Sequence, residues 1–406
     1  MKKLLLLFVT LPLLAVVVDL GDKFDEQDIE ALREWVISKR QVTVSDRGGN
    51  LSIAGEVRTE YQARTETVNG IRQLNPGGAV KGTATNNFDV EVNLMLDYRT
   101  ERTWAGVKLE FDNNMGTTSG TFNKLVLERA FLGGRAVSAD LSTLDIEVGR
   151  RPFGYTFDSR IEFASFMDGI LFSYDHALDN IGDAYAHAGP FLIDETLNQF
   201  GIVAEIGLLN MFNTGLYLKY SIIDWDTHHY SNPLLEDTFS YINSQVVLGY
   251  KWRPAWLERN ITIYSGWLLN HAAKRLAVTN WHKENYGAYI GFSLGQVRKR
   301  GDWSFDFNTQ VVAAQAVFPG DFSGIGHGNA ARRGLYSTNI DGTGDATTVH
   351  NAGGSENYKG FVMEFLYMIT NNITIYQSYQ QSTRLNHHIG QPFFYRQYEL
   401  EVIYAF

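Results

Sequence analysis

The chain of 406 residues contains no cysteine. Disulfide staples, thiolate metal sites and a lipidated cysteine anchor are therefore excluded. Long apolar runs are scarce too. A membrane-crossing helix needs about 20 consecutive apolar residues. Only Leu4 to Val18 comes near that, at the extreme N-terminus. A surplus of basic residues is also missing. The net charge is −10, which argues against nucleic acid as a partner, because phosphates demand a basic surface. Nor is there a His-Glu-x-x-His, a Gly-x-Ser-x-Gly or a phosphate loop, the arrangements that mark zinc, serine and nucleotide chemistry. The paired histidines His228–His229 and His387–His388, and the single His271, His282, His327 and His350, all fall in loop-like stretches without supporting ligands at metal-binding spacing. An enzyme, a metal site and a cofactor are not expected.

What is present begins with Lys2 and Lys3 ahead of the apolar run. A positive start and a short apolar core predict a secretory signal over residues 1–18, too short for a stop-transfer helix. Residues 19–49 read as a lead-in. Within it, Asp25 to Arg40 is the one good helical stretch: Ile29, Leu32 and Val36 share a face, with Asp25, Glu26 and Asp28 at the start and Lys39 and Arg40 at the end. The expectation is a small periplasmic helix.

From Asn50 the period changes to two. Leu51, Ile53, Val57 and Tyr61 alternate with Ser52, Glu56, Arg58, Glu60 and Gln62. Phe88, Val90, Val92, Leu94, Leu96 and Tyr98 alternate with Asp89, Glu91, Asn93, Asp97 and Arg99, and Ala105, Val107, Leu109 and Phe111 with Lys108, Glu110 and Asp112. Each is a strand with one apolar and one charged face. Further strands read as 124–135, 143–151, 166–175, 199–209, 214–224, 241–252, 261–270, 286–297, 302–314, 358–369, 373–381 and 395–406. Their lengths suit tilted strands that cross a bilayer. A soluble sandwich shows the same alternation, so the connections decide between them. Short turns (100–101, 210–213, 298–301, 370–372) alternate with long stretches (63–85, 225–240, 271–285, 315–357). That rhythm belongs to a transmembrane antiparallel β-barrel with tight turns on one side and long loops on the other. Strands 166–175 and 199–209 run in the same direction under this scheme. A strand of opposite direction must separate them, near 183–193, which brings the total to about 16, an even number as bacterial barrels require. Tyr98, Trp252, Trp256, Tyr367, Tyr404 and Phe406 fall beside the short turns, where an interfacial aromatic girdle belongs.

At the last strand, Tyr398, Leu400, Val402, Tyr404 and the terminal Phe406 alternate to the final residue. This resembles the assembly signal of bacterial outer-membrane barrels. With the leader and the turn rhythm, 50–406 resembles a porin-type barrel. The segment 166–175 is similar to the strand that follows the constriction loop of general porins, whereas the Pro-Glu-Phe-Gly-Gly motif of that loop is absent. The resemblance implies an outer-membrane diffusion channel for ions and small hydrophilic solutes, with membrane lipid and the barrel-assembly machinery as partners and a homotrimeric state. It further implies that 152–165 folds inward as a constriction bearing Asp158, Arg160 and Glu162, preceded by Arg151 and followed by Asp168. Pore-wall positions are Glu56, Arg58, Glu60, Asp89, Glu91, Lys108, Glu110, Asp145 and Glu147. Their surplus of carboxylates implies mild cation preference. Alternative readings are a substrate-selective channel, a receptor or adhesin acting through the Gly-rich stretch 319–354, and, further off, an outer-membrane hydrolase.

Overall fold

The computed structural model describes residues 42–46, 49–68, 70–72, 86–116, 122–195, 198–225, 240–257, 259–275, 279, 281–325, 337–338, 352–353, 356–389 and 392–406. The expected signal (1–18) and helix (25–40) lie outside these residues.

The architecture is a closed antiparallel barrel of 16 strands. They are β1 Gly49–Val68, β2 Asn86–Arg99, β3 Thr103–Asn114, β4 Phe122–Ser138, β5 Ser142–Pro152, β6 Phe166–Leu178, β7 Gly182–Asp194 and β8 Gln199–Met211. The second half is β9 Leu216–Asp224, β10 Ile242–Trp252, β11 Ile261–Asn270, β12 Tyr286–Gly295, β13 Trp303–Val312, β14 Tyr358–Met368, β15 Ile373–Arg384 and β16 Phe393–Ala405. Each strand pairs antiparallel with the next. The ring closes where β1 meets β16, from Glu56 opposite Ala405 to Val68 opposite Phe393. Below that ladder, Gly55 and Phe406 exchange backbone hydrogen bonds of 3.1 and 2.9 Å. Closure leaves no unpaired edge, the condition for strands surrounded by hydrocarbon. The strand inferred from parity alone near 183–193 is β7.

The alternation puts apolar side chains outside and polar ones inside. On β8, Phe200, Ile202 and Ile206 are exposed outward, whereas Gln199, Val203 and Glu205 are buried inward. On β16, the outward row is Tyr398, Leu400, Val402, Tyr404 and Phe406, and the inward row includes Gln397, Glu399 and Glu401. Inward tyrosines lie across inward glycines of the neighbouring strand: a Cβ on Gly207, Gly249 or Gly266 would strike the rings of Tyr185, Tyr217 and Tyr289. At the turn between β8 and β9, Asn210 and Asn213 adopt positive φ, a conformation asparagine tolerates better than most residues.

Two expectations change. Residues 63–68 are not the start of a long loop, because β1 continues to Val68 and bends into the two-residue strand Ile71–Arg72. Arg64-Thr65-Glu66-Thr67 carries no apolar face, so the period-two signal faded although the backbone pairing did not. The second change concerns the stretch after β13. Its first part, 313–325, does not extend outward but packs inside the barrel against the loop 153–165.

Candidate functional site

The lumen is two-sided. The loop between β5 and β6 enters through a 3-10 turn, Phe153–Tyr155, and its base is closed by the Phe153 N–H donating to the Ser165 carbonyl at 2.9 Å. Phe153, Phe157 and Phe163 then join Met167, Leu171, Phe191, Val203, Ile223, Trp225, Tyr241 and Phe318 in one buried apolar cluster. Phe153 meets Phe191 edge-on at 5.0 Å, and Trp225 stacks on Phe318 at 4.4 Å. Phe318 belongs to the second inward loop, which is pinned at its root by the Ala313 N–H on the Tyr286 carbonyl. A second cluster joins Ile161 to Val247, Leu268, Val312, Val317, Ile325 and Tyr358. The two loops thus share an apolar core with the inner face of β6–β14.

Asp321 is the clasp between them. It is fully buried. One carboxylate oxygen accepts from the Phe163 N–H at 3.0 Å, and the other from the Ser165 N–H at 2.8 Å and the Ser165 hydroxyl at 2.5 Å. Its carbonyl accepts from the Ala164 N–H. Burial pushes the carboxyl up to about 7, against the pull of these hydrogen bonds. Nearby, the Ser323 hydroxyl donates to the Glu162 carbonyl at 2.8 Å.

The charged residues of the loop 153–165 are brought to the wall on which it is packed. Asp158 pairs with Lys219 at 3.2 Å, and its N–H donates to Glu205. Arg160 pairs with Asp306 at 3.5 Å and lies over the Tyr264 ring. Glu162 accepts from the Asn243 amide, and burial together with Asp321 pushes its carboxyl well above the usual range. These three groups hold the loop down. Arg151 sits at the loop's root, paired with Glu147, donating to the Thr156 hydroxyl at 3.2 Å and lying over Phe131. Asp168 is not among the inward groups. On β6, Met167 and Leu171 face in, so Asp168 faces out, where it accepts two hydrogen bonds of 2.7 Å from Arg150.

The opposite wall, β1–β5 with β16, carries the expected wall residues. Glu56 accepts from Asn93 at 2.8 Å and pairs with Arg58, which also reaches Glu91 at 3.5 Å. Lys108 pairs with Glu128 at 2.6 Å, and Glu110 sits across from Asn93 on the adjoining strand. Asp89 accepts from Asn87. Asp145 pairs with Arg135 at 2.8 Å, and Glu147 accepts from the Trp104 indole at 2.5 Å. Glu60 lies with two carboxylates that sequence reading left out, Glu399 and Glu401, their ligand oxygens within 4.8 Å of one another. The inward parity of β16 would have revealed both. Asp321 was readable only through the unusual apolar run Val311–Phe318, too greasy for an exposed loop.

The architecture was compared with known proteins. OprB of Pseudomonas putida, in its high-pH structure, superposes with a TM-score of 0.51 at 10% identity, over 88% of this chain and 94% of that one. The fold is that of a porin. OmpF of Salmonella typhi, solved with daunomycin, gives 0.49 at 10% identity over 90% and 100%. A triple mutant of the Rhodopseudomonas blastica porin gives 0.43 at 11% over 88% and 100%. No family model and no curated protein sequence matches the chain. At such identities the porin likeness concerns the path of the backbone, and the luminal residues described above are this chain's own.

Proposed function

We propose that this porin-fold barrel sits in a bacterial outer membrane and lets ions and small hydrophilic solutes diffuse through it, with a mild preference for cations. The observation that carries this reading is the division of the lumen. Both inward loops are packed on the β6–β14 wall, and the passage is inferred to run along the charged wall of β1–β5 and β16. There Glu56, Glu60, Asp89, Glu91, Glu110, Glu128, Glu399 and Glu401 outnumber Arg58, Arg64, Lys108 and Arg129. A carboxylate surplus enriches cations most where walls approach within a Debye length, about 8 Å at physiological salt. Single-channel recording in a planar bilayer tests the pore itself, and the reversal potential under a KCl gradient tests its sign. Cation preference is expected. Absence of conductance would overturn the pore, and anion preference the acidic passage.

The assembly machinery is expected to act on β16, whose outward row ends at Phe406, and bilayer lipid to surround the apolar exterior. A homotrimer is supported by the outward Arg150–Asp168 pair. An ion pair facing hydrocarbon is costly, whereas one facing another copy is sheltered. A second reading, a channel selective for particular solutes, is favoured by the extra inward loop 313–325, which narrows the passage beyond what one loop does. Liposome swelling with sugars and amino acids of matched size separates the two: a general pore sorts solutes by size, a selective one by chemistry.

A further inference from the structure

On a wall that faces hydrocarbon, a charge must be paired or lie level with the lipid headgroups. The outward Asp168 is paired with Arg150. Two outward cations are not paired. Tyr358, Val362 and Leu366 of β14 are buried on the luminal side, so the alternation turns Lys359 outward, where it is exposed. On β16 the outward row of Val402, Leu400 and Tyr398 continues to Arg396, also exposed. Neither side chain has an ion pair or a hydrogen bond among the described residues. The acids of the same strands cannot reach them. Glu364 accepts from the inward Tyr376 hydroxyl, and Glu399 and Glu401 gather with Glu60 in the lumen.

Both cations stand at the long-loop end, Lys359 as the second residue of β14 and Arg396 as the fourth of β16. Only β15 lies between them. Lys359 is opposite Thr383, and Arg396 is opposite Gln381, two residues along. With strands about 4.8 Å apart and a rise of about 3.4 Å per residue, their Cα atoms are about 12 Å apart, a gap that two long side chains close on one small anion. Gln381 belongs to the same patch. Its carbonyl oxygen is occupied by the Tyr379 hydroxyl at 3.1 Å, which leaves its amide N–H groups to donate. The patch therefore offers donors only: an ammonium, a guanidinium and an amide. Beneath it, Phe361, Met363 and Phe365 of β14 and Tyr398, Leu400 and Val402 of β16 form an apolar strip. Donors above an apolar strip complement one kind of molecule, a lipid with a phosphate headgroup. A second copy docked here by two-fold symmetry would set Arg396 against Arg396.

We propose that Lys359, Gln381 and Arg396 hold the phosphate of a lipid at the long-loop rim, with its acyl chains laid on the strip of β14–β16 below. On the membrane placement proposed above, one lipid is then fixed at this face while lipids around the rest of the wall exchange freely.

The absence of cysteine allows a single labelled position. In the full chain, Met363→Cys below the patch, or Leu248→Cys on the outward row of β10, carries a small fluorophore. Each labelled barrel is reconstituted in phosphatidylcholine vesicles. Part of the lipid is replaced by phosphatidic acid with brominated chains, or by brominated phosphatidylcholine at the same fraction. Bromine quenches on contact. Phosphatidic acid is expected to quench the label at 363 more than phosphatidylcholine does, and the two lipids to quench the label at 248 alike. Lys359→Gln combined with Arg396→Gln, both at exposed positions, is expected to abolish the excess at 363. Equal quenching by the two lipids at 363 overturns the proposal, as does an excess that survives the double substitution. A label at 363 shielded from both lipids while 248 is quenched also overturns it, and places a second copy on this face. Absence of quenching at both positions overturns the membrane placement itself, and the site with it.

Discussion

The carboxylate of Asp321 joins two loops that enter the barrel from different strands, and it accepts two backbone N–H groups and one hydroxyl without exposure to water. Asp321→Ala would leave the Phe163 and Ser165 donors buried and unpaired, at about 1–3 kcal/mol for each orphaned group. The expected outcome is a barrel that still inserts but shows noisy, flickering current, because the loops detach while the wall ladder persists. Quiet wild-type current in this variant would count against the clasp. The same residue sets a pH dependence. Its carboxyl is raised from 3.8 to about 7 by burial, so between those values the native state holds a proton that the unfolded chain has released. Stability therefore falls as pH rises through that window and is lowest above it. Glu356, buried beside β14 and pushed up to about 8, adds in the same sense. Thermal unfolding followed by circular dichroism in detergent should show a higher melting temperature at pH 5 than at pH 8. At this scale the sequence was readable for the side a charge faces, as Glu56, Glu91 and Lys108 show. It was silent on partners: Asp158, Arg160 and Glu162 are anchors because Lys219, Asp306 and Asn243 stand opposite them, and those pairings span tens of residues.

Among the elements, β16 is the most exacting. Its outward row ends at Phe406, whose ring lies against the bare Cα of Gly55, where a Cβ would come within 2.5 Å of it. Deleting Phe406 should impair insertion into the outer membrane, measured as the folded, heat-shifted fraction on gels. Gly55→Leu should do the same with the C-terminal residue intact, by prying the seam. Normal insertion of both variants would contradict the role given to this contact. The strands themselves were legible because two-faced walls impose a period of two, and β7 was legible because direction must alternate. The upper end of β1 was not, since rows clear of the apolar belt have no apolar face to show. Loop 313–325 was not, because nothing in a connection's length says which way it turns; only the run Val311–Phe318 hinted at an interior. Asp168 was misassigned because it was read with the loop that precedes it, not by the parity of β6, where Met167 and Leu171 face inward.

For the whole molecule, the division of the lumen predicts how charge changes will behave. Glu60→Gln combined with Glu401→Gln should lower cation preference in the reversal potential, and the remaining preference should fade as salt rises and the Debye length contracts. Neutralising Asp158 should alter selectivity less than it alters current noise, because that carboxylate is engaged with Lys219 on the packed wall. Equal effects of the two changes on selectivity would show that the passage runs along the loop face after all.

The seam between β1 and β16 also bears on how the protein is made. Its two sides are the first and last strands of the barrel, joined at their foot by the backbone bonds between Gly55 and Phe406. Bringing ends roughly 350 residues apart together costs about 5 kcal/mol in chain entropy by the logarithmic closure law, and no part of that is recovered until the last strand arrives. Until then the chain carries two open strand edges and an apolar face, the combination that invites aggregation. Protection from aggregation before closure is a requirement built into the ring, and the slow step of assembly should be closure, sensitive to the last strand and indifferent to the loops.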